Sequence, residues 1–212
     1  MKHEERKERM NRMNVQDREE HVDRIRYFIG LAPDAAARAR LAEAAAARQR
    51  DWRFAKWTHP QDFHITLAFL GDLPLPRAAA VRETLDGYVC ATAAFEVRVT
   101  GWGTFGPPQR PAILWAGVAA SEGLGALHGE LWQALAPLGF EPETRPFRPH
   151  LTAARRSQGT TAADVAAMQE EQEAREALGV EWEAREAVLL QTHFGRRPAY
   201  APVLGLPLRP RV

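Results

Sequence analysis

The chain of 212 residues contains a single cysteine, Cys90, so no disulfide can form within it and no cysteine-rich metal site can be built. That usage suits a reducing compartment. No apolar run approaches the roughly 20 residues that a membrane-spanning helix needs, and the first residues lack the apolar stretch of a secretory signal. The expectation is a cytoplasmic protein with no membrane partner. An excess of charge of one sign is also missing, since 28 Lys and Arg stand against 27 Asp and Glu. A strong global field is therefore excluded, and any contact with nucleic acid has to come from a local basic cleft. HExxH, CxxC, Walker and dinucleotide-binding glycine patterns are all lacking, so no metal and no cofactor are expected.

What is present reads as a soluble globular chain with a charged prelude. Residues 1–24 mix basic and acidic side chains with few apolar ones and fit either a solvated helix or a disordered tail. The length fits one large domain or two small lobes. The apolar run 26–31, ended by Pro33, predicts a strand, and Pro33-Asp34 opens an Ala/Arg-rich helix over 34–50. A strand over 63–70 stops at Gly71-Asp72, and a helix spans about 76–92. Strands over 95–104 and 112–118 flank the turn-rich GPPQRP, followed by a helix over about 121–138 that ends at Gly139. A strand over 147–154 is broken by Pro149, a helix covers 160–177, and strands over 182–192 and 199–206 close the chain. Several connections are too short for parallel crossovers, which predicts an α+β fold with antiparallel sheet. A weak internal echo, helix then strand then helix then strand, suggests a duplicated lobe.

The echo is centred on two short motifs, Phe63-His64-Ile65-Thr66-Leu67 and Pro149-His150-Leu151-Thr152-Ala153, whose histidines lie 86 residues apart. Side chains alternate along a strand, so His64 shares a face with Thr66, and His150 with Thr152. Two such strands facing one cleft would present two imidazoles and two hydroxyls to one ligand. That set suits the opening of a cyclic phosphodiester by water. One group must take the water proton and another must protonate the departing oxygen, and histidine serves both ends near neutral pH. Threonine hydroxyls can donate to the phosphate oxygens, where charge builds up. By residue type alone the two histidines are interchangeable.

The segments KWTHPQDFHITLAFLGD, GWGTFGPPQRPAILWAGV and LHGELWQALAPLGFEPETRPFRPHLTAAR carry a resemblance to the 2H phosphoesterase superfamily. Within it, the chain resembles the RNA 2′,3′-cyclic phosphodiesterase family, historically called 2′-5′ RNA ligase. The resemblance covers about residues 25–208, and the third segment is the most specific. It implies a bilobal fold of two antiparallel-sheet lobes with outer helices, related by a pseudo-two-fold axis around a central cleft. It implies His64 as proton donor to the leaving oxygen and His150 as the proton acceptor that activates water. The implied activity is hydrolysis of RNA 2′,3′-cyclic ends to 2′-phosphomonoesters by two histidines without a metal. The implied partner is an RNA with such an end, tRNA fragments among the candidates, and the chain is expected to act as a monomer. The alternatives are 2′-5′ RNA ligase activity in tRNA metabolism and an RNA-binding module without chemistry. The chain departs from the family pattern at Ala153 and in the short basic stretch Gln191–Arg197.

Further substrate contacts are expected around the motifs. Thr66 and Thr152 would hold the phosphate. Arg148 reads as a phosphate clamp or as a surface arginine beside a turn. On a regular strand Arg156 shares the face of Thr152, whereas the resemblance favours Arg155. Lys56 and Trp57 precede the first motif, where an indole could stack on a base and an ammonium could meet a phosphate; packing against the core is the other reading of Trp57. Trp115, within an apolar run, reads as core. His59 reads as a loop residue and His128 as helix surface, and His193 with Arg196 and Arg197 forms a basic loop.

Overall fold

The computed structural model describes residues 24–173 and 178–211. Among these residues the strands are β1 (Arg24–Leu31), β2 (Phe54–Trp57), β3 (Ile65–Pro74), β4 (Phe95–Phe105), β5 (Ile113–Val118), β6 (His150–Ser157), β7 (Glu181–Ala184), β8 (Glu186–Thr192) and β9 (Tyr200–Pro207). The α-helices are α1 (Ala35–Arg48), α2 (Leu75–Leu85), α3 (Glu122–Leu135) and α4 (Ala162–Glu173). The charged prelude lies outside the described residues except for Arg24, which starts β1, and so do the last four positions of the helix expected over 160–177.

The strands form one antiparallel sheet in the order β7-β4-β5-β6-β3-β1-β8-β9, with β2 added on β6. The order is symmetrical about its middle: β3 is followed outward by β1, β8 and β9, and β6 by β5, β4 and β7. The two halves meet at a single registered pair, Ile65 opposite Leu151. The α+β class, the two antiparallel lobes and the pseudo-two-fold relation expected from the sequence are all present.

Local chemistry explains the helix limits. The Asp34 carboxylate accepts from the Ala37 N–H at 2.8 Å, capping α1, whose Ala37, Leu41 and Ala45 are buried at a spacing of four. The Ser121 hydroxyl caps α3 by accepting from the Leu124 N–H at 3.2 Å, and Leu124, Leu127, Leu131 and Leu135 form the buried stripe. Gly139, at φ 74°, closes the short turn that follows α3. α2 ends at Leu85, seven residues earlier than the periodicity predicts. The reason is Glu130 on α3, whose carboxylate accepts from the Tyr88 hydroxyl, the Ala91 N–H, and the N–H and hydroxyl of Thr92. Those bonds hold the segment after Gly87 as a loop rather than as more helix.

Four strand expectations are corrected. β3 runs on through Gly71-Asp72 to Pro74, because two irregularities in its pairing with β1 absorb extra residues on the β3 side. β6 begins at His150, after Pro149, and continues through both arginines to Ser157. The run over 182–192 is two strands with different partners, β7 on β4 in one lobe and β8 on β1 in the other. β2 is a four-residue strand that the sequence reading missed; it pairs with the end of β6.

Candidate active site

Ile65 and Leu151 are fully buried, while His64, Thr66, His150 and Thr152 are half-buried on the opposite face. Carrying the Ile65–Leu151 register one residue each way sets His64 across from Thr152 and Thr66 across from His150. Each lobe thus contributes its imidazole opposite the other lobe's hydroxyl.

The two histidines are held in the same way. His64 Nδ1 lies 2.7 Å from the carbonyl oxygen of Asp62, and His150 Nδ1 lies 2.8 Å from that of Arg148. A carbonyl only accepts, so in both rings Nδ1 carries the hydrogen and Nε2 is left free. Aromatic rings fix each imidazole further. His64 sits between Phe28 and Tyr200, with centroids at 4.7 and 5.1 Å, and His150 meets Phe105 at 5.0 Å and Trp115 at 6.3 Å. The His64 ring also rests on Gly30, where a Cβ would come within 3.2 Å of its Cδ2.

Burial pushes the His64 pKa down to about 4; the Asp62 carbonyl acts the other way, and the Arg155 charge adds to the lowering. His150 is lowered as well, again chiefly by burial, with Arg155 and Arg148 contributing. Both rings are therefore neutral in the unliganded cleft at neutral pH, each with an unprotonated Nε2.

The cleft beside His64 and Thr152 is lined further by Lys56, Trp57, Thr58, His59, Asp62, Arg155, Arg196, Arg197, Ala199 and Tyr200. Five of the eight expected site residues, His64, Thr152, Lys56, Trp57 and Arg155, thus share one opening. Thr66 and His150 lie beside it through the central register. Arg148 does not line it; its guanidinium lies 5.7 Å from both the Phe105 and Trp115 rings, next to His150. Trp57 both packs and faces the ligand side, since it lies edge-on against Phe54 while lining the cleft.

The choice between Arg155 and Arg156 is settled by a bulge. Thr152 pairs with Trp115 but Ala154 pairs with Leu114, so Ala153 is an extra residue on β6. The extra residue inverts the alternation beyond it, and Arg155 rather than Arg156 joins the cleft face. Arg156 takes a left-handed φ of 59° while its N–H donates to the Ala112 carbonyl.

Several residues stand differently from the expectation, or were not expected at all. Trp115 is not core: its strand partner is Thr152, so its ring belongs to the cleft face beside His150. His59 lines the cleft and caps the turn over Pro60–Asp62, where its Nδ1 accepts from the Gln61 N–H. Asp62 is buried, and its carboxylate accepts from the N–H groups of Ala199 and Tyr200 at 2.9–3.1 Å. Asp62 thereby ties His64, through its own carbonyl, to the loop bearing Arg196 and Arg197. Only the two-residue spacing before His64 could have flagged it, because its partners lie 137 and 138 positions away. His128 is likewise not simple helix surface: its ring stacks on Phe147 at 4.0 Å and accepts from the Trp132 indole.

A sheet of two mirrored lobes, each offering one His-x-Thr face to a basic cleft, is the arrangement implied for a 2H phosphoesterase. A model of the 2′-5′ RNA ligase superfamily matches residues 29–196, and the chain belongs to that superfamily. It is 32 % identical over 187 residues to an RNA 2′,3′-cyclic phosphodiesterase of Geobacillus stearothermophilus, covering 88 % of this chain and 58 % of that protein. A relative of the same name from Aeropyrum pernix is 37 % identical over 47 % of this chain and 56 % of its own length. The chain thus spans little more than half the length of these two relatives. The crystal structure of E. coli LigT complexed with 3′-AMP shares the fold, with a TM-score of 0.67 at 21 % identity over 88 % of this chain and 99 % of that one. Among the described residues no helix is long and apolar enough to cross a membrane.

Proposed function

We propose that the protein hydrolyses RNA 2′,3′-cyclic phosphate ends to 2′-phosphomonoesters, with the two histidines as the acid–base pair. The observation that carries this reading is the matched pair of imidazoles, each with Nδ1 committed to a carbonyl two residues back and Nε2 free beside one basic cleft. In this reading the cyclic phosphate lies between Thr66, Thr152 and Arg155. Its negative charge offsets the lowering effect of Arg155 and favours a proton on one imidazole. Following the family pattern, His64 is the charged partner and His150 the neutral one. Water attacks phosphorus in line with the 3′ oxygen while His150 Nε2 takes its proton. The bond from phosphorus to the 3′ oxygen breaks, and His64 Nε2–H protonates that oxygen. The phosphate stays on the 2′ oxygen. Neither step calls for a metal, so turnover is expected to survive EDTA. Lys56, Trp57, Arg148 and the loop with Arg196 and Arg197 would bind the rest of the RNA. A 5′-hydroxyl of a second RNA in the place of water would give 2′-5′ ligation at the same site, and dilute aqueous conditions favour water. The lone buried thiol of Cys90 suits the cytoplasm as the place of action.

The deciding experiment supplies an RNA ending in a 2′,3′-cyclic phosphate and identifies the product by phosphorus NMR. A 2′-phosphomonoester is expected. A 3′-phosphate would contradict the leaving group assigned to His64, and an unchanged RNA bound without turnover would leave only the binding module.

A further inference from the structure

Among the described residues, the exposed large apolar side chains are Phe69, Leu75, Val89 and Phe194. The two aromatic ones occupy the same face as His64. Phe69 pairs with Phe28 across β3 and β1, so their side chains project to one side, and Phe28 is the residue whose ring lies against His64 and Tyr200. Arg26, two residues before Phe28 on β1, shares that face. Its guanidinium is fixed by the Asp72 carboxylate at 2.8 and 2.5 Å and lies 4.7 Å from the Phe194 ring centroid. Phe194 sits in the loop whose Arg196 and Arg197 line the cleft and whose far end is anchored by Asp62. The strip Phe69, Arg26, Phe194 is thus continuous with the cleft through Phe28 and Tyr200.

A single exposed hydrophobic residue needs no explanation. Two phenyl rings that are 51 % and 72 % exposed, on one face, with an arginine between them and two more at the cleft mouth, form a specific pattern. Exposed aromatic rings interleaved with cations are what a single-stranded nucleic acid recognises, because every base can stack and every linkage carries a charge. The Arg196 and Arg197 side chains at the cleft mouth, next to Phe194 in the same loop, favour a polyanion as the occupant.

We propose that Phe69, Arg26 and Phe194 form a stacking platform for the nucleotides immediately 5′ of the terminal cyclic phosphate. The proposal rests on the phosphodiesterase reading and adds a substrate class to it: single-stranded RNA of several nucleotides, in preference to a cyclic mononucleotide.

The test compares kcat/KM for cytidine 2′,3′-cyclic phosphate with that for a tetraribonucleotide ending in the same group. Base stacking of about 1–3 kcal/mol corresponds to roughly a 5- to 150-fold preference for the tetranucleotide in the wild type. That ratio should fall towards one in Phe194→Ala and in Phe69→Ala, through KM, and Phe194→Trp should retain it. An independent arm measures anisotropy of a labelled tetraribonucleotide bearing an unreactive 3′-phosphate, whose binding should weaken in both alanine variants. Unchanged ratio and unchanged binding in Phe69→Ala/Phe194→Ala would overturn the platform. So would an unchanged ratio together with loss of self-association on sizing columns, which would assign the strip to a second copy of the chain. If the wild type turns over neither substrate, the phosphodiesterase reading falls, while the anisotropy arm still decides whether the platform binds RNA.

Discussion

Ile65 and Leu151, the middle residues of the two His-x-Thr motifs, stand opposite each other as the one registered pair between β3 and β6. Both are fully buried, so the pseudo-two-fold axis passes through a pair of apolar side chains, and the reactive ones are forced to the other face. The chemistry of the site depends on this alternation.

Removing either imidazole should abolish the acid–base pair. His64→Ala and His150→Ala are each expected to lose on the order of 10²–10⁴ in rate on a 2′,3′-cyclic RNA end. The double variant should be little worse than either single one, since the two act as a unit. Near-normal turnover by His150→Ala in a steady-state assay would sink the reading.

The pH profile should be displaced towards acid. Burial holds both histidines below the ordinary imidazole range, with His64 near 4, so the apex of kcat/KM should fall below about pH 6.5. The Arg155 charge disfavours the protonated form of both rings. Arg155→Met should therefore move both limbs of the bell upward while raising KM through the lost phosphate contact. Limbs that stay in place in that variant would show that Arg155 does not act on the pair.

Stability should fall on acidification. The unfolded chain takes up a proton at His64 near pH 6.5, whereas the folded chain resists until about 4. The His64 contribution is thus fully present above 6.5 and is lost as pH falls towards 4, to an extent of about 3 kcal/mol at most. Urea melts at a series of pH values should show this slope, and His64→Gln should flatten it.

Asp62 is expected to act as a positioning residue. Asp62→Ala strips acceptors from the Ala199 and Tyr200 N–H groups, which should cost about 1–3 kcal/mol for each group left buried and unpaired. The loop bearing Arg196 and Arg197 should loosen with it. The kinetic signature is a raised KM together with a shift of the His64 limb of the pH profile towards acid, because the Asp62 charge that favours the imidazolium is lost while the carbonyl that holds His64 remains; Asp62→Asn should recover part of the loss in KM but not the shift.

Gly30 leaves room for the His64 ring. In Gly30→Ala the new Cβ would lie 3.2 Å from both His64 Cδ2 and Leu190 Cδ1. Leu190 can move and the hydrogen-bonded imidazole cannot without losing Asp62. Turnover should fall about tenfold with a loss of stability near 1 kcal/mol. Unaltered kcat would mean that the ring tolerates the displacement.

The frame of this site was readable from the residues because it rests on alternation. His64 with Thr66 and His150 with Thr152 share faces by the period of a strand, and an α+β sheet followed from short connections. Parity was also where the reading failed. The extra residue at Ala153 leaves no mark in HLTAARRS, yet it decides that Arg155 faces the cleft. Trp115 was hidden in an apolar run whose alternate members face opposite sides. The passage from β7 to β8 changes lobe at Arg185 within a stretch that reads as one strand. Asp62 binds a loop far along the chain, and no local pattern carries such a partner.

The order of strands has one more consequence. The lobe around His150 is built from a nearly unbroken stretch, β4 to β7, with only the short β2 added from upstream, whereas the lobe around His64 gathers β1 and β3 from the beginning and β8 and β9 from the end. Proteolytic nicking at Arg185 would therefore spare the covalent continuity of one half and divide the other. Two fragments meeting at such a nick would have to rebuild the bed of the first histidine from both pieces. The internal likeness of the lobes is a likeness of finished shapes, not of two successive lengths of chain.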